Sequence, residues 1–542
     1  MPSVSIIRCK VKYNISRRER AVCKHRVQHV SIHLVKQARV AISYCIFMKR
    51  KKDWFKLKKY PHIGLPLKSF DRPSVTGYVK DPDRISAHSF FPFIHRDTVV
   101  RKFRREIDSS GAKLKTRISD SKPRELYYAN HLDSMVYSYY AKLLSDAYEL
   151  KLTEHKLSDV VTAYRAIKID PSDVNSINKC NADFASEIFS YILSSSSNNL
   201  VALAFDIKGF FDNLDHKSLK KQWYKLYDRT SLIEDEYNVF RNITNFSFIN
   251  EKQLFNEFKD EIIVETKSGI RKNKAIKKLH YLKNNNAIAF CTVESFKERA
   301  KKLVVGNNRS DLYAKRSKGI PQGSPISAVL ANVYMLPFDD TINKVVSDFG
   351  GIYRRYSDDM IVVCNKAYQG DIIKLFENEI RERDLEIQPK KTQIFEFNKV
   401  HDQFTCCQII NGIPNLHKNL EYLGFEFDGQ FSYLKSSSLA SFYRKMKRAV
   451  QRSLYYSKTS KAPGSLGQVF RTRLFKKYTF KGKGRRVIYK QDKMDPAVWN
   501  RTENYNWGNY LTYADLAMNK LPNNKIKGQV KRHWKILNQL IS

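Results

Sequence analysis

Three aspartates stand where a chain can hold divalent cations: Asp206, closing the apolar run NLVALAFDI, and the adjacent Asp358 and Asp359 in GIYRRYSDDMIVVC. A carboxylate at the end of an apolar strand is costly unless it is paired or binds metal. Two acids at the turn between two β-rich runs present the complementary half of such a site. The chemistry they suit is in-line displacement at phosphorus, where two divalent ions roughly 4 Å apart stabilise the attacking and leaving oxygens. Mg²⁺ is hard and keeps several waters, so two or three carboxylates plus substrate phosphates suffice. Asp206, Asp358 and Asp359 would supply them, with the backbone carbonyl of Ile207 as one more ligand for the pair of Mg²⁺ ions. Taken alone, a tyrosine, any residue and two aspartates read equally well as a solvated turn.

The elements that must position these acids occur in a telling order. Between Asp206 and the Asp-Asp turn lies GIPQGSPISAVLANVYM (319–335), a Gly/Pro-punctuated loop running into a helix with small residues on one side. Together the blocks resemble the palm motifs of reverse transcriptases. DIKGFFDNLDH is similar to motif A, the PQG loop and helix to motif B, and YSDD to the YxDD box of motif C. LEIQPKKTQIFEF (385–397) is similar to motif D and LEYLGFEFDG (420–429) to the primer-grip motif E, so the resemblance covers residues 200–430.

The resemblance implies roles. Phe211, five positions after Asp206, falls where the family places the bulky ring that excludes a ribose 2'-hydroxyl. Core packing beside Phe210 is its plain structural alternative. Gln322 is expected at the nucleotide or templating base, with Gly323 and Ser324 allowing close backbone approach. Tyr356 would lie beneath the primer terminus, and Gly424 would permit the tight hairpin that grips the primer. Lys391 matches the lysine that protonates departing pyrophosphate. Arg165, in AYRAIK, would contact the triphosphate, since a planar guanidinium suits phosphate oxygens. Its neighbours depart from the usual arginine-lysine pattern. His131 and Asp133 are read as a satisfied structural pair.

The resemblance also implies an α+β right-hand polymerase with a ferredoxin-like palm, helical fingers and a helical thumb and C-terminal region. The boundaries expected are a basic extension at 1–47, mainly helical fingers at 48–199, a palm at 200–430 with a basic insertion at 228–310, and a thumb and tail at 431–542. Segments 124–149, 179–192 and 504–540 resemble the bacterial defence-associated and abortive-infection branch of the family. That branch implies cDNA synthesis from dNTPs on a dedicated non-coding RNA, in the bacterial cytoplasm, with self-association. A group II intron or retron-like retroelement enzyme is the alternative within the family, and an RNA-binding scaffold with a relict palm is the alternative outside it.

Composition agrees. The 97 Lys and Arg against 54 Asp and Glu give a formal charge of +43, which attracts polyanions and makes binding salt-dependent. No run approaches the roughly 18 apolar residues of a spanning helix, so nucleic acid is preferred to membrane. Basic and aromatic residues interleave in 438–458, similar to the family's thumb helix, and in 469–490, read as a β-ribbon or loop. The 8 cysteines show no metal spacing and imply no disulfide framework.

The first 47 residues hold Glu19 as their sole acid and lack a signal-peptide core, and Met48 offers an alternative start. The extension is therefore expected to be dispensable. A chain beginning at Met48 should match the full chain in primer extension and in phage plaque reduction, and loss of both would show that the extension is needed.

Overall fold

The computed structural model describes residues 53–100, 103–107, 113–119, 122–173, 176–266, 268–306, 316–388, 392–459, 466–484, 486–491, 498–506 and 508–542. Contacts divide the chain into Met1–Leu57 and Lys58–Ser542. Only residues 53–57 of the first unit are described, and everything below concerns the second. The fold is mixed α+β, and no described helix is long and apolar enough to cross a membrane.

Helices α1 (His131–Glu154) and α2 (Asn181–Ser194) lead into strand β1 (Asn199–Asp206). After a long excursion come α3 (Ser327–Asp348), β2 (Ile352–Tyr356), β3 (Asp359–Asn365), α4 (Gln369–Glu382), β4 (Gln393–Val400), β5 (Gln403–Ile410) and β6 (Ile413–Asn415). They form a six-stranded sheet in the order β2-β3-β1-β4-β5-β6, each neighbouring pair antiparallel. The β1 run is apolar almost without break because both of its faces are covered. Leu200 and Ala202 join Ile361, Phe395 and residues of α2 in one core. On the opposite face Phe205 stacks on Phe376 of α4 at 4.2 Å, and Phe338 of α3 closes on the same ring at 5.5 Å. The two-residue alternation of a strand thus divides a single run between two cores.

The excursion between β1 and α3 is a folded lobe rather than an insertion on the sheet. His62–Ile63 pairs with Ala287–Cys291 in one four-stranded sheet, and Phe93–Val100 lies between Ser247–Asn250 and Lys122–Tyr128 in another. Ile63, Ile94, Ile249, Phe258, Val264 and Phe290 share one core, so segments far apart in sequence build it jointly. Within the basic stretch 267–286, Arg271–Lys274 is an exposed edge strand, where Lys and Arg deter pairing with a second chain, while Ile276 and Leu282 are buried. Residues 93–100, 103–107, 113–119 and 122–128, in the part expected to be mainly helical, form strands instead, and cross-strand pairing holds the longest of them, with Ile94, Arg96 and Thr98 opposite Tyr128, Leu126 and Arg124.

Past the sheet, β7 (Leu420–Tyr422), β8 (Phe425–Phe427) and β9 (Ser432–Leu434) make a small antiparallel sheet. Helix α5 (Ser436–Thr459) buries Phe442, Met446 and Val450 at four-residue spacing and exposes its cations. The 469–490 segment splits into α6 (Arg471–Tyr478) and a strand, Arg486–Gln491, paired with Trp499–Asn506. Helices α7 (Tyr510–Lys520), α8 (Ile526–Val530) and α9 (His533–Ile541) complete the core that begins under the six-stranded sheet. Phe395 sits fully buried at the centre of that core. Phe395→Ala should lower unfolding stability by about 3–5 kcal/mol, read as a fall in the denaturant midpoint.

Candidate active site

Antiparallel pairing of β1 with β3 places Asp206 and Asp359 as direct cross-strand partners. Asp358 occupies the two-residue turn between β2 and β3, where Tyr356 pairs with Asp359. The three acids therefore share one end of one sheet. Asp206 is 9% exposed, Asp358 half-buried and Asp359 exposed, so the cluster grades from core to surface. Like charges directly opposite one another destabilise a sheet unless something offsets them. Backbone bonds from Gln388 N to the Asp206 carbonyl (2.7 Å) and from Lys208 N to the Glu386 carbonyl (2.9 Å) pin Ile207 against Ile387 and fix the end of β1.

The turn is strained and held from behind. Ser357 has φ of 63°, a left-handed conformation that costs a non-glycine residue about 1–3 kcal/mol and persists only where surroundings over-determine it. Its carbonyl accepts from Arg355 Nη1 at 3.2 Å, and its hydroxyl lies 3.2 Å from the Tyr164 hydroxyl. Arg355 is fully buried and forks onto Asp339 of α3, Nε to Oδ1 at 2.7 Å and Nη2 to Oδ2 at 2.6 Å. Asn332, seven residues earlier on the same helix, accepts from Nη1 at 3.1 Å, and the Tyr353 hydroxyl donates to Asp339 at 2.9 Å. The backbone of Arg355 is tied to residues 160 and 162, its N–H to the Val160 carbonyl and its carbonyl to the Thr162 N–H, each at 2.9 Å. Burial alone would lower the Arg355 pKa, but Asp339 outweighs it and holds the guanidinium charged.

The loop before α3 is seated on the turn after β1. Ile320 N donates to the Phe211 carbonyl at 2.9 Å and Gly319 N to the Leu214 carbonyl at 2.8 Å. Phe211 is half-buried, its ring 5.5 Å from that of buried Phe210. Tyr127 N donates to the Gln322 carbonyl at 2.8 Å, so the lobe reaches the same loop. Gly323 has φ of +115°, and a Cβ there would lie 2.7 Å from the Tyr127 carbonyl oxygen, which makes glycine obligatory. Burial pushes the Tyr356 phenol up, with Tyr164 and Asp359 adding to it. Leu423 and Gly424, with φ of 46° and 92°, make the tight β7–β8 turn, and the Gly424 carbonyl accepts from Lys435 N at 3.1 Å.

Two of the residues singled out in the sequence are engaged elsewhere. Arg165 is committed to Glu149 through Nε and Nη2 (2.8 and 2.6 Å) and to the Ser158 carbonyl through Nη1 (2.6 Å), with its side chain 6% exposed. That fork is the geometry expected of a structural brace. Asp133 is paired not with His131 but with His88, whose Nε2 lies 3.0 Å away, and it also accepts from Phe91 N at 2.9 Å. His131 instead stacks on Tyr60 at 5.4 Å, and burial lowers its pKa to about 4. Lys391 lies outside the described residues. Arg355, Asp339 and Asn332 went unnoticed in the sequence, where the sole signal was the seven-residue spacing of Asn332 and Asp339 on one helix face.

Comparison with known proteins decides the reading of residues 263–427, which match the family model described as reverse transcriptase (RNA-dependent DNA polymerase). Those 165 residues are similar to a reverse transcriptase domain. The match holds Asp358 and Asp359 but begins after Asp206. No curated protein matches the chain. Among solved structures, apo telomerase from Candida tropicalis is similar at 10% identity and TM-score 0.32, covering 73% of this chain and 59% of that one. Telomerase from Candida albicans in complex with the TWJ fragment of telomeric RNA is similar at 15% identity and TM-score 0.32, covering 76% and 58%. The chain thus spans less than two thirds of the telomerase chains it matches.

The brace behind the Asp358 turn makes separable demands on stability and activity. Arg355→Met should cost about 3–5 kcal/mol, because Asp339 is left charged and buried. Arg355→Met combined with Asp339→Leu should recover most of that stability in denaturant melts. Primer extension by the double variant should nevertheless stay about tenfold or more below the parent, since the turn has lost the donor that places it.

Proposed function

We propose that the chain synthesises DNA from dNTPs on an RNA template, with Asp206, Asp358 and Asp359 holding two Mg²⁺ ions. The observation that carries this is the cross-strand pairing of Asp206 with Asp359, with Asp358 in the adjoining turn. The donor set fits a hard divalent cation: carboxylate oxygens only, gathered at one sheet end, with like charges directly opposed. Bound there, the ions would supply Lewis-acid stabilisation of the attacking 3'-oxygen and of the leaving pyrophosphate.

The chain's own groups do the rest. The β1-α3-β2-β3-α4-β4 succession, in the spatial order β4-β1-β3-β2, serves as a ferredoxin-like palm. The lobe whose core joins Ile63 and Ile94 to Ile249, Phe258, Val264 and Phe290 serves as fingers, and α5 with the helices after it as thumb. Phe211 presents its ring to the sugar edge of the incoming nucleotide and leaves no room for a 2'-hydroxyl. Gln322 orients the nucleotide from a loop whose backbone Tyr127 holds. Tyr356 supports the primer end, and the Gly424 turn holds the primer strand. Lys391 protonates the departing pyrophosphate. Arg165 ties residues 158–161 to α1 through Glu149, next to the Val160 and Thr162 backbone that holds Arg355. The resemblance of residues 124–149, 179–192 and 504–540 to defence-associated enzymes supports a role in bacterial antiphage defence, in the cytoplasm, on a dedicated non-coding RNA.

Two measurements test this reading. Asp206→Asn, Asp358→Asn and Asp359→Asn should each lower Mg²⁺-dependent cDNA synthesis on the order of a thousandfold with an unchanged melting profile, since several kcal/mol of barrier lowering is lost. Synthesis that survives these changes would point to an RNA-binding scaffold. Phe211→Ala should raise ribonucleotide use relative to dNTP use by about tenfold to a hundredfold in single-nucleotide incorporation.

A further inference from the structure

A second concave site lies away from the carboxylates, where the start of α7 meets α5 and α6. Its volume is about 630 Å³, within the range of small-ligand pockets and larger than an inorganic anion needs. Lys445 from α5 and Arg473, Lys476 and Lys477 from α6 surround it, and none of the four meets a carboxylate among the described residues. Four uncompensated cations around one concavity repel each other, so a bound anion would relieve them. Asp515, the one acid of α7, is committed to Lys483 at 2.7 Å.

The wall of the pocket is fixed rather than fluid. Asn509 caps α7, accepting from Leu511 N at 2.9 Å, and its amide donates to the Lys476 and Thr479 carbonyls at 3.2 and 2.8 Å, which ties α6 to α7. Tyr478 spans to α5 by donating to the Lys445 carbonyl at 3.1 Å. The floor is aromatic: Phe442 and Tyr510 stack at 4.7 Å. The Tyr510 hydroxyl is buried without a hydrogen-bond partner, although a phenol so placed normally finds one. Burial raises its pKa to about 12, so it stays a donor. The eleven-residue α7 also opens its N-terminus at this pocket, which favours an anion.

We infer that this pocket binds a nucleoside 5'-phosphate, its phosphate held by Lys445, Arg473, Lys476 and Lys477 and its nucleoside resting on the Phe442–Tyr510 floor. The same unit comes from two sources, a free nucleotide or the 5'-phosphorylated end of a strand. The inference goes beyond polymerase activity and does not depend on it.

The test uses the full chain carrying Asp358→Asn and Asp359→Asn, in EDTA, so that binding at the carboxylate site is silenced. Adenosine 5'-monophosphate, adenosine, inorganic phosphate, and octathymidylate with and without a 5'-phosphate are titrated by calorimetry. Adenosine 5'-monophosphate is expected to bind at least tenfold more tightly than adenosine or phosphate. Lys476→Glu with Lys477→Glu should weaken it thirtyfold or more, and Tyr510→Phe, which keeps the ring, threefold to tenfold. Lys447→Glu with Arg448→Glu, exposed on α5 outside the pocket lining, should leave it within twofold. Tighter binding of the 5'-phosphorylated oligonucleotide than of both the monophosphate and its 5'-hydroxyl counterpart would assign the site to a strand end, and equal or weaker binding to a free nucleotide. No binding at millimolar monophosphate, phosphate binding as tightly as the nucleotide, or equal losses from the pocket and control pairs would overturn the inference.

Discussion

The site depends on one buried ion pair. Arg355 and Asp339 are both fully buried, and the cost of stripping water from two charges is met only by the fork between them and the further bonds to Asn332, Tyr353 and the Ser357 carbonyl. An apolar pair of the same volume would pack there without that desolvation cost. What the ion pair adds is direction. A guanidinium offers donors in a fixed plane, so it holds α3, the end of β2 and the strained turn in one relative position, and the backbone of the same residue ties in residues 160 and 162. The turn that carries Asp358 is thus placed from within the protein, while Asp359 at its outer side stays exposed.

The second constraint is topological. Asp206 and Asp359 can oppose one another because β1 and β3 are adjacent and antiparallel in the middle of the sheet, although 153 positions separate them in the chain. The chain between them does two things: it returns as α3 to supply Asn332 and Asp339, and before that it completes the sheets begun by residues 62–63, 93–100 and 122–128. The lobe reaches the site through a backbone bond, Tyr127 N to the Gln322 carbonyl, at the position where Gly323 admits no Cβ. A spacer that looks excessive for one sheet is the length needed to build the lobe that positions the loop.

The parts legible in sequence were those whose signal is local. An apolar run ending in Asp206 could be read as a central strand closing on a carboxylate, and two β-rich runs meeting at Ser357-Asp358 could be read as a hairpin. The helix over 438–458 was legible as a resemblance to the thumb helix, whereas the stripe of Phe442, Met446 and Val450 that it buries was not singled out. The lobe was illegible because its strands are short and find partners far off in sequence, as with His62–Ile63 and Ala287–Cys291. Arg355 was illegible for a different reason: in a chain with 97 Lys and Arg, a single arginine carries no information until its burial is known. Arg165 shows the converse, a chemically apt guanidinium already engaged by Glu149 from sixteen residues upstream.

Charge sets the last requirement. Residues 431–542 hold 25 Lys and Arg against 4 Asp and Glu, so the C-terminal region carries about half of the chain's net charge. That excess favours phosphate backbones and, at long range, repels the divalent cations that the carboxylates would recruit. The two demands are compatible because they act over different distances. Salt at physiological strength screens fields beyond roughly 8 Å, whereas carboxylates gathered at one sheet end act on a cation at contact range. Three acids spread over the surface would be lost in the basic field. The same three, brought to one sheet end by the antiparallel pairing of β1 with β3, gather carboxylates at a single point of a strongly basic chain.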